Sequence, residues 1–341
     1  MRRLSLFLSL LILLGAISTQ AAMLEQSVDG PALNDAPVRD PIRYPAWFKL
    51  SFLHLQEDLE EAVRFRKRGL IVYFGQRDCA YCYALIEKNF ALADIAQYTR
   101  RYFDVVAIDI HSEEKMSDMG GEELSEREFA TLQGVDFTPT LLFYAPDGSV
   151  ALTLRGYYPP YKFRAALEYV ADAHYKTESF RDYLERADPP LAFEEGGMNE
   201  SDLFSPPPYA LDRSRFAAKQ PLAVFFEQGE CHACDILHTT PLANAEIVKL
   251  LRGFESVQLN IWADTPVLTP SGVATTSREW ARQLGLFYTP SILFFDEHGK
   301  EIMRVDSVVG FTRLQKVLDY IASGAYKRGI PYQRYRRGSA E

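Results

Sequence analysis

The chain has 341 residues, room for two domains or three at ordinary domain size. Hydrophobic residues make up 47% and charged residues 24%, the balance of a chain that buries a core, so wholesale disorder is excluded. Its 37 basic against 46 acidic residues give a formal charge of −9, which sets nucleic-acid binding aside, and four cysteines are too few for a disulfide-stapled mini-fold.

The chain starts with Arg2 and Arg3, then an apolar run from Leu4 to Ile17, then Ser18-Thr19-Gln20-Ala21-Ala22. A positive start, a short apolar middle and small residues at its end read as a secretory signal peptide over 1–21, cleaved near Ala21. The run is shorter than the ~20 residues a spanning helix needs. No later segment is apolar enough to cross a bilayer, so the expected product is exported, without a membrane span after signal removal, into a compartment where cysteine pairs oxidise. Residues 22–46 carry four prolines and are expected to form an extension along the surface or to stay mobile.

The body is one pattern written twice. Leu70-Ile71-Val72-Tyr73-Phe74 and Leu222-Ala223-Val224-Phe225-Phe226 are apolar runs suited to central strands buried on both faces. They lead to Cys79-Ala80-Tyr81-Cys82 and, 152 residues on, Cys231-His232-Ala233-Cys234, each followed by helix-compatible sequence. A further strand is predicted over 102–110 and 254–261. Capping-box spacing at Ser125-Glu126-Arg127-Glu128 and Thr276-Ser277-Arg278-Glu279 starts two helices, and Gly134 and Gly285 end them. Strands then begin at Thr138-Pro139 and, 151 residues on, Thr289-Pro290; turns follow at Pro146-Asp147-Gly148 and Glu297-His298-Gly299. A last strand and an amphipathic helix close each copy. Agreement in order, spacing and type at so many stations predicts a duplicated domain, 47–186 and 215–330. Between them, 187–214 is Pro/Gly-rich and reads as a linker or surface strap, 331–341 as a basic tail that solvates the end, and 112–123 and 263–275 as exposed loops.

This order resembles the thioredoxin fold, twice over: an α/β fold with a central mixed sheet flanked by helices. Cysteines at i and i+3 in a helix's first turn lie on one side, close enough to bridge. The free amides and dipole of the helix start favour thiolate at the first cysteine. Cys79 and Cys231 are therefore the expected nucleophiles, and Cys82 and Cys234 the resolving thiols. The resemblance implies that Pro139 and Pro290 are cis and that Thr138 and Thr289 offer backbone groups to a partner peptide. His232 as an imidazolium would favour the Cys231 thiolate, whereas Tyr81 suits packing or peptide contact. His238 is expected to be an exposed helical residue. Three other readings stay open: one zinc site built from four thiolates, two inert disulfides, or a single active copy.

The runs Phe74-Gly75-Gln76-Arg77-Asp78-Cys79 and Phe226-Glu227-Gln228-Gly229-Glu230-Cys231, the Thr-Pro strands and Tyr175-Lys176-Thr177-Glu178-Ser179-Phe180 are similar to SoxW-type periplasmic thioredoxin-related proteins, here as two fused units. The chain departs from thioredoxin proper in having Ala-Tyr and His-Ala between its cysteines. It also has Tyr73 and Phe225 where thioredoxin has a buried Asp, with Glu227 the nearest substitute. The resemblance implies a periplasmic thiol:disulfide oxidoreductase acting on protein or peptide dithiols and disulfides, supplied by a periplasmic electron donor or acceptor. No cofactor beyond the redox-active cysteine pairs and no metal are expected. Alternatives are a disulfide isomerase or a non-catalytic peptide-binding scaffold.

Overall fold

The computed structural model describes residues 32–39, 41–187 and 197–338, so the signal peptide read at 1–21 lies outside the described residues. In the first repeat the elements run α1 (Leu55–Arg64), β1 (Gly69–Gly75), α2 (Ala80–Ala84) continuing into a π-helical turn (Leu85–Phe90), α3 (Ala93–Tyr102), β2 (Phe103–Asp109), β3 (Lys115–Ser117), β4 (Glu123–Ser125), α4 (Glu126–Leu132), β5 (Thr140–Tyr144), β6 (Val150–Arg155), α5 (Pro160–Ala171) and α6 (Phe180–Ala187). The second repeat has β7 (Tyr209–Ala210), β8 (Leu222–Glu227), α7 (His232–Thr239), α8 (Ala245–Leu251), β9 (Glu255–Asn260), β10 (Pro266–Leu268), β11 (Ala274–Thr276), α9 (Ser277–Gln283), β12 (Ser291–Phe295), β13 (Glu301–Val305), α10 (Phe311–Ala322) and α11 (Tyr332–Gly338).

Each repeat is built on a four-stranded mixed sheet, in the order β2-β1-β5-β6 and β9-β8-β12-β13. β1 runs parallel to β2 and antiparallel to β5, so that Val72 faces Val106 on one side and Leu142 on the other. Val224 sits likewise between Val257 and Leu293. Every residue of β1, β5, β8 and β12 is buried, as uninterrupted apolar runs require when helices cover both faces. A hydrophobic cluster fills each face of each sheet. The capping box at Ser125 and Glu128 forms at the start of α4, Thr276 caps α9, and Gly134 and Gly285 are left-handed after these helices.

Four stretches differ from the sequence expectation. The loops 112–123 and 263–275 hold the short antiparallel ladders β3–β4 and β10–β11. The end of the stretch read as linker belongs to the second repeat: β7 pairs with β10, Leu211 is buried, and the buried Arg213 donates to Glu255 Oε2 at 2.5 Å. The tail read as solvating is the helix α11. Its Tyr332 is buried against Tyr320 and Phe137, because a large aromatic ring gains more from that pocket than the flanking basic groups lose.

The repeats pack through the loops before their prolines. Phe137 belongs to the second repeat's core cluster and Tyr288 to the first's. Tyr158 stacks on Phe287, meets Tyr288 edge-on and donates to the Asp306 carbonyl at 3.0 Å. The Val308 amide donates to the Tyr157 carbonyl at 3.1 Å. Gly156 (φ 96°) touches Ser307 so closely that an added Cβ would stand 2.0 Å from its Oγ, so this station needs glycine.

Candidate functional site

β1 and β8 each deliver the chain into a turn ending at a helix start. The last residue of that turn, Asp78 or Glu230, has positive φ (59° and 49°), a strained conformation for a non-glycine residue held by the surrounding fold. The next residue is the cysteine at the N-cap. Cys79 Sγ accepts the Cys82 amide at 3.0 Å, and Cys231 Sγ accepts the Cys234 amide at 3.1 Å. Both pairs are disulfides, with Cα–Cα separations of 5.2 and 5.1 Å. Each cysteine is thus bonded within its own CxxC, giving two separate sulfur centres. Cys82 and Cys234 are fully enclosed, while Cys79 and Cys231 keep a sliver of surface.

Thr138-Pro139 and Thr289-Pro290 are cis, and each threonine stands against its cysteine pair. Cys79 Sγ lies 3.3 Å from Thr138 Oγ1 and 3.6 Å from its carbonyl oxygen. The corresponding distances from Cys231 to Thr289 are 3.7 and 3.9 Å. In the first repeat Gln76 Nε2 donates to Thr138 Oγ1 at 2.6 Å, and its Oε1 meets His111 Nε2 at 2.9 Å. At the same station of the second repeat, Gln228 Oε1 accepts from Trp262 Nε1.

Around this shared frame the two centres diverge. His232 is exposed, whereas Tyr81 is buried: its hydroxyl donates to Asp35 Oδ2 at 2.8 Å and accepts the Gly310 amide at 2.8 Å. Burial drives the Tyr81 hydroxyl far above its ordinary pKa, so it remains a neutral donor. Tyr81 is thus held in place between Asp35 and Gly310. His238 is not the exposed residue expected. Its Nε2 lies 3.0–3.1 Å from both oxygens of Glu227, whose side chain is wholly buried at the end of β8. Among the described residues no other side chain hydrogen-bonds to that carboxyl. Gly75 holds the equivalent place in the first repeat, where the Tyr73 ring fills the space: a Cβ on Gly75 would lie 2.6 Å from it.

Two residues of the first centre lay beyond the sequence reading. Asp35 accepts the amides of Thr312 and Arg313 at 2.9 and 2.8 Å, capping α10, whose own N-cap, Gly310, has no side chain to do so. A Cβ on Gly310 would lie 2.4 Å from the Asp35 carboxyl carbon. Arg313 donates through Nη2 to the Thr138 carbonyl at 3.0 Å and lies 3.5 Å over the Tyr81 ring. One signal was available: a cation in a helix's first turn opposes the dipole and calls for a nearby anion.

No helix among the described residues is long and apolar enough to cross a membrane. The family model described as a thioredoxin-like domain matches residues 55–171 and 210–322. A thioredoxin-fold protein from Helicobacter pylori is similar at 20% identity over 41% of this chain and 91% of its own, with a TM-score of 0.34. The DsbD C-terminal domain of Neisseria meningitidis in its reduced form is 16% identical over 34% of this chain and 93% of its own, TM-score 0.27. A thioredoxin from Thermus thermophilus is 21% identical over 32% and 79%, TM-score 0.26. No curated protein sequence matches the chain.

Proposed function

We propose, from the premise that the chain belongs in both of its repeats to the thioredoxin-like domain family, that it is a thiol:disulfide oxidoreductase with two dithiol centres. The observation that carries this reading is the repeated seat of a cysteine pair at a helix N-cap against a Thr-Pro turn. In the reducing direction the Cys79 or Cys231 thiolate attacks a partner disulfide, and the leaving thiolate takes a proton from solvent. The attacking sulfur is favoured as thiolate by the amide of Cys82 or Cys234 and by the helix dipole. Cys82 or Cys234 then attacks the mixed disulfide, releasing the second partner thiol and closing the internal disulfide, so two electrons pass to the partner. Thr289 acts as a backbone contact for that partner and Thr138 holds the matching place at the first centre, with Pro139 and Pro290 as the turns that present them.

The charged and apolar leader in the sequence supports an exported, periplasmic protein, and the runs 74–79, 226–231 and 175–180 support a SoxW-type protein served by a periplasmic donor or acceptor of electrons. The test is reduction of insulin disulfides by the dithiothreitol-charged protein. Cys79→Ser and Cys231→Ser should each lower the turnover, not necessarily by equal amounts, and the double variant should lose all of it. Full turnover in the double variant would refute the assignment. Cys82→Ser and Cys234→Ser should leave the mixed disulfide standing, which identifies the partner by mass.

A further inference from the structure

The two centres share a frame but differ in their cover. Thr138 is 2% exposed, while its counterpart Thr289 is half-buried. Ala80 and Tyr81 are shut in, while their counterparts His232 and Ala233 are exposed and half-buried. What closes the first centre is the start of α10, delivered by the second repeat. Arg313 holds the Thr138 carbonyl, and its guanidinium lies over Tyr81 and 4.9 Å from Phe137. Asp35 fixes the arrangement from the opposite side through Tyr81 and the amides of Thr312 and Arg313.

The Thr138 carbonyl stands 3.6 Å from Cys79 Sγ. An extended peptide whose cysteine reaches that sulfur must run its main chain beside Thr138 and offer an amide to this acceptor. Arg313 already occupies it. At the second centre, no hydrogen-bond donor reaches the Thr289 carbonyl among the described residues; the disulfide sulfur of Cys231, 3.9 Å away, has no proton to give. Next to Cys79 there remains a cavity of about 50 Å3, lined by Asp35, Thr138, Arg313 and Lys316. That is space for one or two waters or a few heavy atoms, and too little for a strand, which needs about 4.8 Å from its neighbour along its whole length.

Resting on the oxidoreductase reading, we infer that the two centres take different partners: the first exchanges with small thiols, the second with thiols carried on extended peptides, and Arg313 determines that difference. At the oxidised first centre a small thiolate attacks Cys79 Sγ. The new S–S bond forms as Cys79–Cys82 breaks, and the Cys82 thiolate takes a proton from water. A second small thiolate then attacks the mixed disulfide at the small thiol's sulfur, yielding the small-molecule disulfide and leaving Cys79 as thiolate, a two-electron reduction of the centre. Nothing in that sequence needs the Thr138 carbonyl.

The experiment uses full-length single-centre proteins, Cys231→Ser with Cys234→Ser and Cys79→Ser with Cys82→Ser, both oxidised. Rates of disulfide reduction by 2-mercaptoethanol and by a ten-residue peptide with a central cysteine are read by maleimide mass shift. The ratio of peptide rate to small-thiol rate is expected to be lower at the first centre by on the order of tenfold, the worth of one backbone hydrogen bond withheld at the upper end of its range. Arg313→Gln and Arg313→Ala should raise the first centre's ratio towards the second's. Equal ratios at the two centres without any change at Arg313 overturn the inference, whether or not the Arg313 variants fold. An unchanged ratio in folded Arg313 variants also overturns it. Failure of both centres to react with 2-mercaptoethanol overturns the oxidoreductase reading itself.

Discussion

Replacing Asp35 by alanine isolates what holds the first centre's cover in place. The carboxylate is buried and accepts three hydrogen bonds, from the Tyr81 hydroxyl and the Thr312 and Arg313 amides, all between 2.8 and 2.9 Å. It is the side-chain cap of α10, because Gly310 cannot provide one. An N-cap replaced by alanine costs about 1 kcal/mol in ordinary settings, and a hydrogen bond to a charged acceptor about 1.5–3. Water entering the adjoining cavity recovers part of the loss by solvating the freed amides, so the net effect should be about 3 kcal/mol. Asp35→Asn keeps an acceptor oxygen without its charge and should lose about half of that. Urea unfolding followed by tryptophan fluorescence gives the comparison. A loss below about 0.5 kcal/mol in Asp35→Ala, within the range of an ordinary surface change, would refute the capping argument.

Other consequences can be checked in the same assay. His238→Ala strands the buried Glu227 carboxyl and should cost about 3 kcal/mol, with Glu227→Gln in the same chain restoring part of the loss; no restoration would mean the pair is not coupled. Tyr332→Ala removes the ring between Phe137 and Tyr320 and should cost about 3 kcal/mol, although the residue lies near the chain end; a silent change would show that α11 does not dock. Burial raises the Asp306 carboxyl above the ordinary carboxylate range, with Arg304 and Arg155 opposing and Glu301 adding to the shift. The folded chain then holds more protons than the unfolded one as pH rises from the ordinary value to the raised one, so stability falls across that window. Asp306→Asn should abolish this part of the decline when midpoints are measured from pH 4 to 7; an unaltered slope would contradict the assignment.

What could be read from the sequence was local. An apolar run, a CxxC, a Thr-Pro step and two capping boxes each write their geometry into a few neighbouring residues, and their recurrence at a near-constant step displayed the duplication. The departures that shape the first centre are contacts between segments far apart in the chain. Asp35 caps a helix that begins at Phe311, and Arg313 reaches a carbonyl at Thr138. No periodicity encodes such a meeting. The tail misled for a related reason: its basic residues outnumber Tyr332, yet that one ring meets a partner, Phe137, supplied by the other repeat. Glu227 was visible as a strand-end acid, but its pairing with His238 depends on how α7 is oriented over β8.

The junction at Gly156 and Ser307 is lopsided by necessity. Gly156 and Ser307 stand at matching stations of their repeats, and so do Tyr157 and Val308, whose backbones share a hydrogen bond. Like positions therefore meet, but with unlike side chains: a bare backbone on one side leaves room for the hydroxyl on the other. A serine at both places would collide, and a glycine at both would leave a gap. The seam thus closes only because the halves are spelled differently, and that same latitude lets each half dress its sulfur pair in its own way.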